Sequence, residues 1–217
     1  MISAPASVGM HVSEVNTPAL IVELEALEQN IRRMQARLAG TKAYLWPHSK
    51  THKSTVIANM QIAAGAGTGT FEFEMASGVY NELQVGSYVF LDVDYGLNRD
   101  REGKPISDFE NALFILTTVM SSPVPERAIV DAGLKALSVD SGMPKVVGHA
   151  AASFVRAADE HGRIEIAAGG RPFKVGDKSR LIPGHCDPTV NLHDWFVCIR
   201  NSRVESLWPV SARGALF

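Results

Sequence analysis

Leu24, Leu27, Ile31, Met34 and Leu38 recur three and four positions apart, the spacing that gathers apolar side chains on one face of an α-helix. Glu25 and Glu28 stand early in this stretch and Arg32, Arg33 and Arg37 late, as the helix dipole favours. Gly40 is a natural stop. Just before it, Ala19 to Glu23 is a short apolar run that reads as a strand, and Ala43–Trp46 reads as a second. Residues 54–64 pattern another helix, with Ser54 as its cap. Beyond residue 85 the texture changes. Short apolar runs punctuated by Gly, Pro and Asp predict strands at Ser87–Asp92, Ala112–Met120, Arg127–Asp131, Ser179–Pro183, Asp194–Arg200 and Val204–Val210, with Asn201-Ser202 as a hairpin turn between the last two. Residues 1–17 read as an arm leading into Thr17-Pro18. The pattern predicts an α+β chain: strand-helix-strand-helix over residues 1–84, then an antiparallel β domain over residues 85–217.

Composition narrows the function classes. The chain has 217 residues, enough for one domain or two small ones with a real core. With 46% apolar residues, 20% charged residues and a net charge of −2, nothing points to nucleic acid or an anionic membrane as a partner. No apolar run approaches the roughly 20 residues of a membrane span. Met1-Ile2-Ser3-Ala4-Pro5 lacks a basic segment followed by an apolar core, so a cytoplasmic location is expected. Cys186 and Cys198 fit free thiols in a reducing compartment.

Three segments carry candidate chemistry. The apolar run ending at Trp46 delivers Pro47-His48-Ser49-Lys50-Thr51-His52-Lys53, in which Lys50 has Lys53, His48 and His52 close by. Neighbouring positive charge and partial burial lower a lysine pKa, as a lysine that attacks a carbonyl carbon requires. A solvated basic turn is the alternative reading. Gly65-Ala66-Gly67-Thr68-Gly69-Thr70 could cradle a phosphate with backbone N–H groups and hydroxyls, or form a plain flexible connection. It lacks the Gly-Lys-Ser/Thr ending of a P-loop. In Pro183-Gly184-His185-Cys186-Asp187-Pro188, an extended backbone would point His185 and Asp187 to the same side, toward one Zn²⁺, Mn²⁺ or Mg²⁺ ion. A β-turn explains the same residues.

The three segments, in this order, resemble the D-threonine aldolase and 3-hydroxy-D-aspartate aldolase group of the D-serine dehydratase-like pyridoxal-phosphate enzymes. The resemblance also runs through Thr17-Pro18-Ala19-Leu20, Phe71-Glu72-Phe73-Glu74, Ser77-Gly78-Val79-Tyr80, Val130-Asp131-Ala132-Gly133-Leu134-Lys135, Asp159-Glu160-His161-Gly162 and Trp208-Pro209-Val210. It implies that Lys50 binds pyridoxal 5'-phosphate covalently, that Gly67, Thr68 and Gly69 contact its phosphate, and that His185 and Asp187 hold a divalent metal (Mg, Mn or Zn). His48, His52 and His161 are candidates for the catalytic base. The implied activity is cleavage of a D-3-hydroxy amino acid, of the 3-hydroxy-D-aspartate or D-threonine type, to glycine and an aldehyde, with the chain as a homodimer. The dehydratase branch resembles this group but has a cysteine where Asp187 stands.

Two departures accompany the resemblance. Trp46 occupies a position where the family usually has arginine. The family is built on an α/β (TIM-type) barrel of about 250 residues plus a β domain. This chain passes from one barrel strand and helix directly to the last phosphate loop, which implies a truncated barrel remnant joined to the β domain. A non-catalytic remnant that keeps only the metal-binding β domain is the alternative to an active lyase.

Overall fold

The structure, a computed structural model, describes residues 4–41, 44–45, 50–61, 76, 82–83, 85–100, 102–104 and 108–214. The predicted N-terminal elements are present: β1 (Ala19–Glu23), α1 (Leu24–Leu38), β2 (Tyr44–Leu45) and α2 (Thr55–Gln61). A short β3 (Glu82–Leu83) pairs in parallel with β2. The later strands are β4 (Leu113–Val124), β5 (Arg127–Val130), β6 (Lys145–Val146), β7 (Ala152–Ala157), β8 (Gly162–Ile166) and β9 (Lys178–Ile182). A five-residue helix α3 (Cys186–Val190) precedes the hairpin of β10 (Trp195–Arg200) and β11 (Arg203–Pro209). Asn201 and Ser202 have φ of 50° and 62°, the two left-handed residues that a tight hairpin turn demands.

The main sheet runs β11-β10-β1-β4-β5-β8-β7, with β9 on β4 and β6 on β9. It is a mixed sheet, because β1 lies parallel to β10 and antiparallel to β4. The strand from the start of the chain therefore sits in the middle of the sheet built by the later strands. Strict alternation divides β1 between two cores. Leu20 and Val22 face the larger one with Leu24, Leu27, Ile31 and Met34 of α1, while Ala19 and Ile21 face a smaller one with Val15, Val197, Ile199 and Val204. The N-terminal arm closes that second face: Gly9 N donates to Val204 O at 2.7 Å, and Val204 N to Met10 O at 2.7 Å.

Ser87–Asp92 is not the predicted strand. Ser87–Val89 forms a 3₁₀ turn with local bonds, Phe90 N and Leu91 N both donating to Ser87 O at 3.1 and 2.9 Å. Ser87, Tyr88, Val89 and Phe90 are all buried, so an apolar run here reports enclosure on every side rather than a strand with two faces. Ser54 does not cap α2 through its side chain either; its Oγ is buried without a partner among the described residues. The strands β6, β7 and β8 were not predicted. Among the described residues the parallel pairs are β1 with β10 and β2 with β3, and no closed eight-stranded barrel is present. No helix among them is long and apolar enough to cross a membrane.

Candidate functional site

The last turn before α3 brings the chain back to the lysine motif. Lys50 Nζ lies 3.4 Å from Asp187 Oδ2, although 136 intervening residues separate them in sequence. The lysine side chain is 59% exposed and the carboxylate 15% exposed. Such a pair contributes only about 0–1 kcal/mol to stability. Lys53 fixes the loop beneath it: Nζ donates to Lys50 O at 2.7 Å and to Asp187 O at 3.2 Å. Lys53 itself holds φ at 47°, a left-handed conformation seldom taken by lysine. Burial lowers the Lys53 pKa, Asp187 opposes that shift, and Lys50 adds to it.

His185 and Asp187 come together by a different route from the predicted one. His185 is extended at the N-cap, with φ −141° and ψ 129°, whereas Asp187 already lies in the first turn of α3. The helical turn still brings Asp187 Oδ1 to 3.9 Å from His185 Nε2. One ion bonded to each at about 2.1 Å can span up to about 4.2 Å between them. Asp187 Oδ1 is buried and has no hydrogen-bond partner among the described residues. An orphaned carboxylate oxygen beside an imidazole nitrogen is the vacancy a divalent cation would satisfy, so these residues fit the metal. Among the described residues no group of three or more His, Cys, Asp or Glu side chains is gathered for a metal.

Two carboxylates that the sequence did not single out complete the surroundings. Asp140 Oδ2 lies 3.0 Å from His185 Nδ1, and Ser138 Oγ donates to Asp140 Oδ1 at 2.7 Å. Burial works against the Asp140 charge, but the bonds from His185 and Ser138 outweigh it and hold the carboxyl below its usual range. Asp92 is buried behind α3, accepting from Cys186 N at 2.7 Å and Tyr95 N at 2.9 Å, and so caps the helix that carries Asp187. Burial raises the Asp92 pKa, against these two backbone bonds. The Cys186 thiol is pushed well up by burial, then by Asp92 and Asp187, so it stays a neutral packing group rather than a thiolate ligand. A lone Asp in a Ser-rich turn gave no signal for Asp140.

His52 is fully buried, and its Nδ1 accepts from Ser54 N at 3.1 Å. His161 is exposed in the turn between β7 and β8. His48, Gly67, Thr68 and Gly69 lie outside the described residues.

Residues 112–199 match the family model described as "Putative serine dehydratase domain". The chain is 57% identical over 156 residues to a 3-hydroxy-D-aspartate aldolase of Paracoccus denitrificans, covering 71% of this chain and 40% of that protein. It is 44% identical over 182 residues to a D-threonine aldolase of Arthrobacter sp, covering 84% of this chain and 45% of that protein. The chain thus spans 40% to 45% of the length of these curated relatives. Its fold is that of the D-threonine aldolase from Filomicrobium marinum, with a TM-score of 0.92 at 24% identity and coverage of 100% of both chains. A D-threo-3-hydroxyaspartate dehydratase from Delftia sp. HT23 gives a TM-score of 0.73 at 15% identity over 92% of this chain and 98% of that one.

Proposed function

From this kinship with the D-threonine and 3-hydroxy-D-aspartate aldolases, we propose that the chain carries the lysine and metal centre of a lyase that cleaves D-3-hydroxy amino acids to glycine and an aldehyde. The observation that supports it is the approach of Lys50 to Asp187 at 3.4 Å, which joins the two motifs in one place. Asp187 Oδ1 and His185 Nε2 would hold a divalent cation, which supplies Lewis acidity to a substrate hydroxyl. Pyridoxal phosphate bound at the exposed Lys50 amine would supply the electron sink for breaking the Cα–Cβ bond. A 3-hydroxy amino acid carries its amino and hydroxyl groups on neighbouring carbons. Lys50 and the His185–Asp187 pair are spaced to address both groups of one such molecule. Lys53 keeps Lys50 and Asp187 in register through its two backbone acceptors. His52, enclosed and accepting from Ser54 N, serves the loop's shape, and His48 and His161 are the other candidates for the hydroxyl proton.

The second reading is a non-catalytic remnant that keeps only the metal-binding β domain, in line with the absence of a closed eight-stranded barrel among the described residues. Absorbance spectra with added pyridoxal phosphate, before and after borohydride, separate the two. The lyase reading expects a long-wavelength band that reduction fixes to the protein and that Lys50→Ala abolishes. Metal retention lost in His185→Ala checks the other half. Retained metal with no such band leaves the remnant.

A further inference from the structure

An imidazole binds a cation only through the nitrogen that carries no proton. At His185 the two nitrogens face different carboxylates: Nδ1 is 3.0 Å from Asp140 Oδ2 and Nε2 is 3.9 Å from Asp187 Oδ1. An ionised carboxylate can only accept, so a neutral His185 bonded to Asp140 carries its proton on Nδ1. We infer that Asp140 is the positioning residue of the metal pair: its bond to Nδ1 fixes the tautomer and ring orientation that turn the Nε2 lone pair toward Asp187. The inference rests on the metal reading given above.

The surroundings of Asp140 are built for that task. Ser138 Oγ donates to its other oxygen at 2.7 Å. Ser138 N donates to Thr189 Oγ1 at 3.1 Å, and Thr189 Oγ1 donates to His185 O at 2.8 Å. Residues 138–140 therefore grip His185 at both its ring and its backbone. The same loop is pinned twice more. His193 Nε2 lies 2.8 Å from Ala136 O, and Gly184 runs so close to Gly142 that a Cβ there would sit 2.1 Å from Gly142 O. A surface ion pair made for stability alone would need none of this.

The test uses the ¹⁵N-labelled full chain without metal, with the His185 ring nitrogens assigned by loss in His185→Asn. Wild type should show the Nδ1–H tautomer. Asp140→Ala should shift the population toward Nε2–H, and calorimetric titration with Mn²⁺ or Zn²⁺ should show affinity lower by about 10–100-fold. Asp140→Asn keeps an acceptor oxygen and should retain the tautomer and most of the affinity. An Asp140→Ala chain with the wild-type tautomer overturns the inference, whether or not its affinity falls, because any loss would then arise from something other than ring orientation. A wild-type chain that binds neither ion, with a tautomer that still follows residue 140, sinks the metal reading and leaves the tautomer assignment standing.

Discussion

Replacing Gly184 by alanine tests the geometry of the site at its tightest point. A Cβ at this position would lie 2.1 Å from Gly142 O and 3.0 Å from Gly142 C. The shortest comfortable carbon–oxygen contact is about 3.3 Å, so the two backbones must part by about 1.2 Å. Neither side of the contact is a flexible side chain, and relief requires the 183–185 segment or the 140–143 turn to move. Overpacking of this kind costs about 1–3 kcal/mol, of which about 0.4–1 is returned by the stiffer unfolded chain. The same displacement would stretch the His185–Asp140 contact from 3.0 Å to about 4.2 Å, past the limit of a hydrogen bond. Gly184→Ala should therefore lower the unfolding free energy by about 1–2 kcal/mol in urea and weaken Mn²⁺ or Zn²⁺ binding by about 10–100-fold. A variant as stable as wild type would show that the loop gives way freely. A destabilised variant with undiminished metal affinity would show that the Gly184 contact does not hold the metal ligands in place.

Asp131 accepts from Thr17 Oγ1 and Thr117 Oγ1 at 2.6 Å each and from Thr118 N at 2.9 Å, tying the arm before β1 to the β4–β5 hairpin. Asp131→Ala leaves those donors without their acceptor and should cost about 3 kcal/mol in guanidinium unfolding; a loss below about 1 kcal/mol would mean that water replaces the carboxylate. His193 titrates below 6.5 in the fold because of burial, with the Ala136 carbonyl opposing, Arg213 adding to the shift and Asp194 opposing. The unfolded chain takes up that proton first, so the stability increment is full above pH 6.5 and falls as pH drops through the folded value. The stability difference between wild type and His193→Asn should therefore shrink on acidification below pH 6.5, and a constant difference would contradict the assignment.

The parts of the fold legible in sequence are those where one period dominates. The 3.6-residue repeat of Leu24, Leu27, Ile31 and Met34 located α1, because one face is buried and the other is not. β8 was missed although Gly162, Ile164 and Ile166 are buried with Arg163 and Glu165 between them, because so short an alternation is crowded by turn residues. The run Ser87–Phe90 misleads, because enclosure on all sides erases the difference between a strand and a turn. Residue type and spacing pair His185 with Asp187, but they do not show the helical turn that brings the two side chains to 3.9 Å. Asp140 had no spacing to betray it. Its role exists only where the Gly184–Gly142 contact folds the 138–142 turn against residues 45 positions away.

Among the described residues, several bonds hold the Lys50 loop against α3. Lys53 Nζ reaches Asp187 O, and Ala212 N donates to Lys53 O at 3.1 Å, so the Lys50 loop is bonded both to α3 and to the segment that follows β11. Arg213 adds an ion pair with Asp194 at 2.6 Å and a bond to Asn191 O at 3.2 Å, which secures that segment against the end of α3. The Lys50–Asp187 approach is thus set by the β domain and its flanking chain.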